Sequence, residues 1–204
     1  MSWFPDMGTV TMIDAGDHVR AVGWLSAEHP YIKGEVPAEF RARLRTFAER
    51  WGDSTKALGW GAFLGLHRCE LCDRFMASGN FGVPQAGLLF AAPEMLPHYV
   101  EVHSYRPPEE FVTAVMESPL PGTAEYTAAV VSFRRLHEQY LERHDRAQIE
   151  RAGRWAFEQG GNPESISEAV LRFFGGGSPE LCERIRKAMP SGAAPEPPAK
   201  RTRH

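Results

Sequence analysis

The chain is poor in cysteine, has no long apolar run and carries no strong charge of either sign. Only Cys69, Cys72 and Cys182 appear among its 204 residues. So low and odd a count argues against a disulfide framework, and two of the three sit in a C-x-x-C, which in a reducing compartment points to metal or redox chemistry. No stretch approaches ~18 uninterrupted apolar residues, so no membrane-spanning helix is expected. The opening MSWFPDMG lacks the cationic start and apolar run of a secretory signal, and a cytoplasmic protein is expected. A net charge of -3 gives no global attraction to nucleic acid or to an anionic membrane.

The chain is long enough to bury a core unaided, so a bound metal would organise part of the fold, not all of it. Apolar patterning predicts an α+β protein. His18–Leu25 reads as a short strand. Pro37 opens a helix, at a position where a missing N–H costs nothing, with Phe40, Leu44, Phe47 and Trp51 on one face. Residues 52–61 read as a turn, and Ala62–Leu66 as a buried strand. Gly79–Val83 and Gly87–Ala91 pair as a hairpin with Pro84, Gln85 and Ala86 in its turn. A helix is expected over roughly 93–104, and another begins at Glu109 and Glu110, acidic residues suited to a helix N-terminus.

From Thr123 the chain reads as helix, with Tyr126, Val130, Phe133, Leu136 and Tyr140 in one stripe and Ile149, Ala152 and Ala156 in another. Helix starts follow at Asn162 and Ser178, separated by Gly175–Gly177, and Cys182 is expected to be buried. The expected organisation is a zinc-centred domain over 1–120, a helical extension over 121–189 and a disordered tail over 190–204, which is rich in proline and has no apolar residue larger than alanine.

The informative pattern is Cys69-x2-Cys72-x25-His98-x4-His103. Zinc takes thiolate and imidazole in a tetrahedron. A tight knuckle can present both sulfurs, the end of a helix can present both imidazoles, and a hairpin fits the spacer. One zinc held by Cys69, Cys72, His98 and His103 is therefore expected. Other readings of the same residues are small buried cysteines beside ordinary helical histidines, or a redox dithiol. His67 is a fifth candidate, as a replacement ligand or as a neighbour that orients one. Four protein ligands close the shell, so the site is expected to be structural, although Glu70 and Glu101 would be at hand as bases for an open, catalytic zinc.

Several strings resemble an uncharacterised family of small bacterial proteins, a domain of unknown function. They are Gly23-Trp24-Leu25, His29-Pro30, His67 to Cys72, Asn80, Val83-Pro84, Ala92-Pro93-Glu94, His98-Tyr99, His103, Tyr105, Pro107-Pro108 and Glu110-Phe111. The resemblance spans roughly residues 18–118 and implies that this stretch is one unit. It implies no activity.

A zinc-stabilised module that binds another protein is the expected function, with the Tyr105-Arg106-Pro107-Pro108 corner and the helical segment as candidate contact surfaces, although the favoured reading of the corner is a helix-ending turn whose tyrosine packs on the hairpin, and that of the segment is an ordinary core of helices. A metal-dependent hydrolase is the alternative. A nucleic-acid-binding zinc finger is disfavoured, because Tyr99-Val100-Glu101-Val102 between the histidines is apolar and acidic where a DNA-reading helix carries Arg or Lys. Only Lys200-Arg201-Thr202-Arg203 is basic.

Overall fold

The computed structural model of the protein describes residues 3–60, 66–158 and 179–189. They form two compact units, one up to Tyr140 and one from Leu141. The first combines helices with two small sheets, the α+β class expected. Strand β1 (Val19–Ala21) runs parallel to β5 (Leu88–Pro93), and β5 pairs antiparallel with β4 (Asn80–Gln85), giving the order β1-β5-β4. Strands β2 (His67–Arg68) and β3 (Met76–Ala77) make a separate antiparallel pair. Helices α1 (Ala38–Glu49), α2 (Trp51–Leu58), α3 (Leu96–Val102) and α4 (Glu109–Glu117) complete the order up to α5 (Ala124–Glu158).

Burial explains the arrangement. Nearly all of β4 and β5 is buried, because helices cover the sheet. Phe40, Leu44 and Phe47 of α1, Phe81 and Phe90 of the hairpin, Phe111 of α4 and Tyr126 of α5 share one core. Neither sheet edge is left open, which removes a template for aggregation. Along β4, the Thr55 hydroxyl donates to the Asn80 carbonyl, the Gly82 N–H donates to Ser54 Oγ, and the Tyr126 hydroxyl donates to the Gly82 carbonyl at 2.8 Å. Along β1, the Ala21 N–H donates to the Gly8 carbonyl, and the Ala21 carbonyl accepts from the Met7 N–H. Gly82 is fixed by this packing, since a Cβ there would sit 2.6 Å from Leu58 Cδ1.

Three expectations are corrected. The hairpin turn is Ala86-Gly87, with Pro84 and Gln85 inside β4. Both turn residues have positive φ, 46° and 83°, as a two-residue turn matched to strand twist requires. Pro93 is the last residue of β5, paired with Asn80, and α3 begins only at Leu96. Residues 51–58 are helical, not a turn. The chain breaks at Arg50 (φ -100°, ψ 24°), and α2 ends on Gly59 in the left-handed region. Within α2, Ser54 meets its hydrogen-bonding needs through Gly82 and Tyr126, which makes a polar residue tolerable in a buried helix face.

The stripe on α5 runs through Tyr126, Val130 and Phe133 and then reaches His137, while Leu136 is exposed. That first stretch packs on the core, so the first unit continues to Tyr140, beyond the boundary expected at 120. In the second unit, Ile149, Ala152 and Ile185 are buried, and Cys182 on α6 (Pro179–Ala188) is half-buried against them. Residues 62–65 of the expected buried strand, the helix start at Asn162, Gly175–Gly177 and the tail at 190–204 lie outside the described residues. Leu66 is exposed.

Tyr126→Phe tests the edge-capping network. It leaves the Gly82 carbonyl without this donor in a buried setting, so stability should fall by about 1–3 kcal/mol. Denaturant titration measures it. Ser54→Ala should be strongly non-additive with it in a double-mutant cycle, because the two hydroxyls lie 2.6 Å apart.

Candidate metal centre

Two arms of chain meet at one corner of the first unit. The first is the turn between β2 and β3. The Cys69 N–H donates to the Phe75 carbonyl and the Asp73 N–H donates to the Cys69 carbonyl, with Asp73 at φ 59°. This tight reversal carries Cys69 and Cys72 on one side. The Leu71 and Cys72 N–H groups point at the Cys69 sulfur, a donor arrangement that favours a thiolate. The second arm is α3. His98 lies in its first turn and His103 is the residue at its C-terminal end, where Ser104 follows at φ 53°.

Glu94 ties the arms together. Its carboxylate accepts the Ser78 and Gly79 N–H groups, and its own N–H donates to the Gly79 carbonyl. At the far end, the Tyr31 hydroxyl donates to the His103 carbonyl and the Gly34 N–H donates to the Ser104 carbonyl. The Phe75 ring stacks on His98 with centroids 4.7 Å apart. Tyr99, almost wholly buried, backs the site.

The four side chains converge. One ligand atom each from Cys69, Cys72, His98 and His103 falls within a set whose members are all within 4.8 Å of one another. Cys69 Sγ is 3.4 Å from His103 Nε2, Cys72 Sγ is 3.4 Å from His98 Nε2, and the two Nε2 atoms are 3.2 Å apart. A regular tetrahedron of metal bonds ~2.0–2.3 Å long has edges of roughly 3.3–3.8 Å, close to these separations. Direct hydrogen bonding is a poorer account. Each ring nitrogen has one in-plane lone pair or one hydrogen, yet each Nε2 faces two partners at once. A single cation at the common point satisfies all four donors. The residues therefore fit a metal ion.

Electrostatics agree on the histidines. Burial pulls both imidazoles below their ordinary range, helped at His98 by the neighbouring His103 and at His103 by Lys33. They are thus held neutral, the form that ligates. Burial instead pushes the Cys69 thiol up, against the opposing N–H groups and with Cys72 adding to the rise. A bound cation inverts that preference by stabilising the thiolate.

The other sequence candidates fall away from the centre. His67 is in β2, opposite Ala77, outside the convergent set. Glu101 forms an ion pair with Arg45 at 2.6 Å, and Glu70 accepts the Ala27 N–H. Tyr105 is fully buried and donates to Asp6 Oδ2 at 2.8 Å, while Asp6 Oδ1 takes the Gly23 N–H. The Tyr105 side chain is therefore a brace for the turn after α3.

One buried cluster escaped sequence reasoning. Asp14, entirely buried, presents Oδ2 to His137 Nδ1 at 3.3 Å and to His18 Nε2 at 3.7 Å. Trp60 lies edge-on to His137. The only available signal was that His137 sits four residues after Phe133 on an apolar stripe.

The imidazole shifts carry a sign. A base whose folded pKa lies below its unfolded value contributes stability that is present above the unfolded pKa and is lost as pH falls through the folded one. Metal-free protein should thus lose stability as pH falls below the ordinary imidazole value of 6.5. Denaturant midpoints on either side of that pH check it, and His98→Gln/His103→Gln should flatten the dependence.

No curated protein and no solved structure matches the chain. A protein family does, over residues 2–116, which begins before the region of the sequence resemblance and ends within α4. With more than half of its length matched, this chain belongs to the family described as a domain of unknown function, DUF7919.

Proposed function

We propose that Cys69, Cys72, His98 and His103 hold one structural zinc ion, and that the protein is a cytoplasmic module whose work is to bind another protein. The observation that carries the metal reading is the 3.2–3.4 Å approach of each thiol to one imidazole nitrogen and of the two nitrogens to each other, with all four atoms within 4.8 Å. Zinc suits a mixed sulfur and nitrogen set without a preferred oxidation state or a geometric demand of its own. The free thiols fit a reducing compartment, and no helix among the described residues is long and apolar enough to cross a membrane.

A closed shell of four protein ligands leaves no position for a metal-bound water, so an enzymatic zinc is the weaker reading. The nearest carboxylate on α3, Glu101, is already engaged by Arg45. For nucleic acid the local charge is wrong: Tyr99 and Val100 are buried, and Glu101 is acidic. The bound metal supplies cross-linking between the two arms. The protein's own residues orient it: the Leu71 and Cys72 N–H groups steady the Cys69 sulfur, Phe75 fixes the His98 ring plane, and Glu94 sets the distance between arms.

Protein purified without a metal-affinity step should contain one zinc per chain by elemental analysis. Stripping it with a strong chelator should lower the melting temperature by well over ten degrees, since structural zinc contributes about 10 kcal/mol or more to folding in small modules. Cys69→Ser should lower zinc content and melting temperature together. A variant that loses the metal and melts as the parent does would contradict the structural role.

A further inference from the structure

The surface beside the metal centre is concave and mixed in character. A cavity of about 340 Å³ lies between α1 and α3, at the lower end of the ~300–1,000 Å³ usual for ligand sites. Its apolar wall includes Ala48, Phe75 and Val102. Phe75 is 38% exposed, Val102 59%, and the adjacent Met76 51%. Phe75 and Val102, left in water on one hollow, mark a surface that gains by being covered. The polar side is unbalanced. Glu49, Glu94 and Glu101 line the same cavity with a single cation, Arg45. Arg45 is taken by Glu101 at 2.6 Å, which leaves the excess negative charge on Glu49 and Glu94.

We propose that this hollow docks an extended peptide segment of a partner protein, one that places a Lys or Arg beside an apolar side chain. The cationic head meets Glu49 and Glu94, while its aliphatic stem and the apolar neighbour cover Phe75 and Val102. An extended chain suits the site better than a compact small molecule. A second cavity, about 360 Å³ in volume, lies against the same Arg45–Glu101 bridge and continues along α1 and α3 past Val36. The acidic excess excludes a nucleic-acid backbone. The proposal rests on the structural-metal reading for one wall, because Phe75 stacks on His98 and keeps its place only while the centre is assembled.

The probe is a phage-displayed library of random dodecapeptides, selected on the metal-loaded full-length chain. Winning peptides are then made with a fluorescent label and titrated by anisotropy. Winners should carry Lys or Arg next to an aliphatic or aromatic residue. Glu49→Lys/Val102→Glu should weaken them by about tenfold or more, with zinc content and melting temperature unchanged, since both side chains are exposed. Acidic winners, no enrichment, equal binding to that variant, or self-association of the chain through this face would each overturn the proposal. Binding that survives metal removal unchanged would contradict the structural-metal reading and leave the docking site standing. Loss of the effect of Glu49→Lys/Val102→Glu in a zinc-loaded protein would sink the docking site alone.

Discussion

Everything at the functional end of this protein depends on bringing four donor atoms from two distant chain segments to one point. The β2–β3 pair has two residues per strand, and α3 has seven residues. Neither element would persist alone in water, where an isolated hairpin is marginal and a helix needs ~12–15 residues. A metal ion between them would cross-link the two elements. Structural zinc contributes on the order of 10 kcal/mol, comparable to the ~5–15 kcal/mol net stability of a whole domain. Cys69 and Tyr99 belong to the same core as Phe40, Phe47, Phe81 and Phe90, and Cys72 packs against it. Loss of the metal should therefore weaken the corner and the core together.

The remaining scaffold keeps the arms in register. The buried hairpin β4–β5 leads directly from one arm to the other, and Glu94 bonds both sides of the junction. Asp6 joins Gly23 to Tyr105, so the N-terminal segment braces the turn that follows α3. Burial raises the Asp6 carboxyl pKa, although its two hydrogen bonds oppose the shift. The network can exist only because both carboxylate oxygens find donors, a condition any buried acid must meet. The Asp14, His18 and His137 cluster places a second buried carboxylate between the N-terminal segment and α5.

Local signals in the sequence were enough for part of this. The ligand spacing, the hairpin and the start of α4 each depend on a few neighbouring residues, and the donor set is read from chemistry alone. The misplaced elements depend on distant ones. Pro93 suggests a helix start, yet its pairing with Asn80 keeps it in β5. Gly52 and Asp53 suggest a turn, but α2 forms because Ser54 is satisfied by Gly82 and Tyr126, far away in sequence. Tyr105 reads as a turn residue packed on the hairpin, but its polar partner Asp6 lies far away in sequence. His137 looks like any helical histidine until burial shows it facing Asp14. Periodicity locates faces; it does not reveal which polar residue on a face has a distant partner.

X-ray absorption at the zinc edge, on protein purified without added metal, tests the central claim most directly. Coordination by two sulfurs at ~2.3 Å and two nitrogens at ~2.0–2.1 Å is the predicted result. An absent zinc signal, or a shell in which oxygen from water replaces one of the four protein ligands, would contradict a closed site built from Cys69, Cys72, His98 and His103.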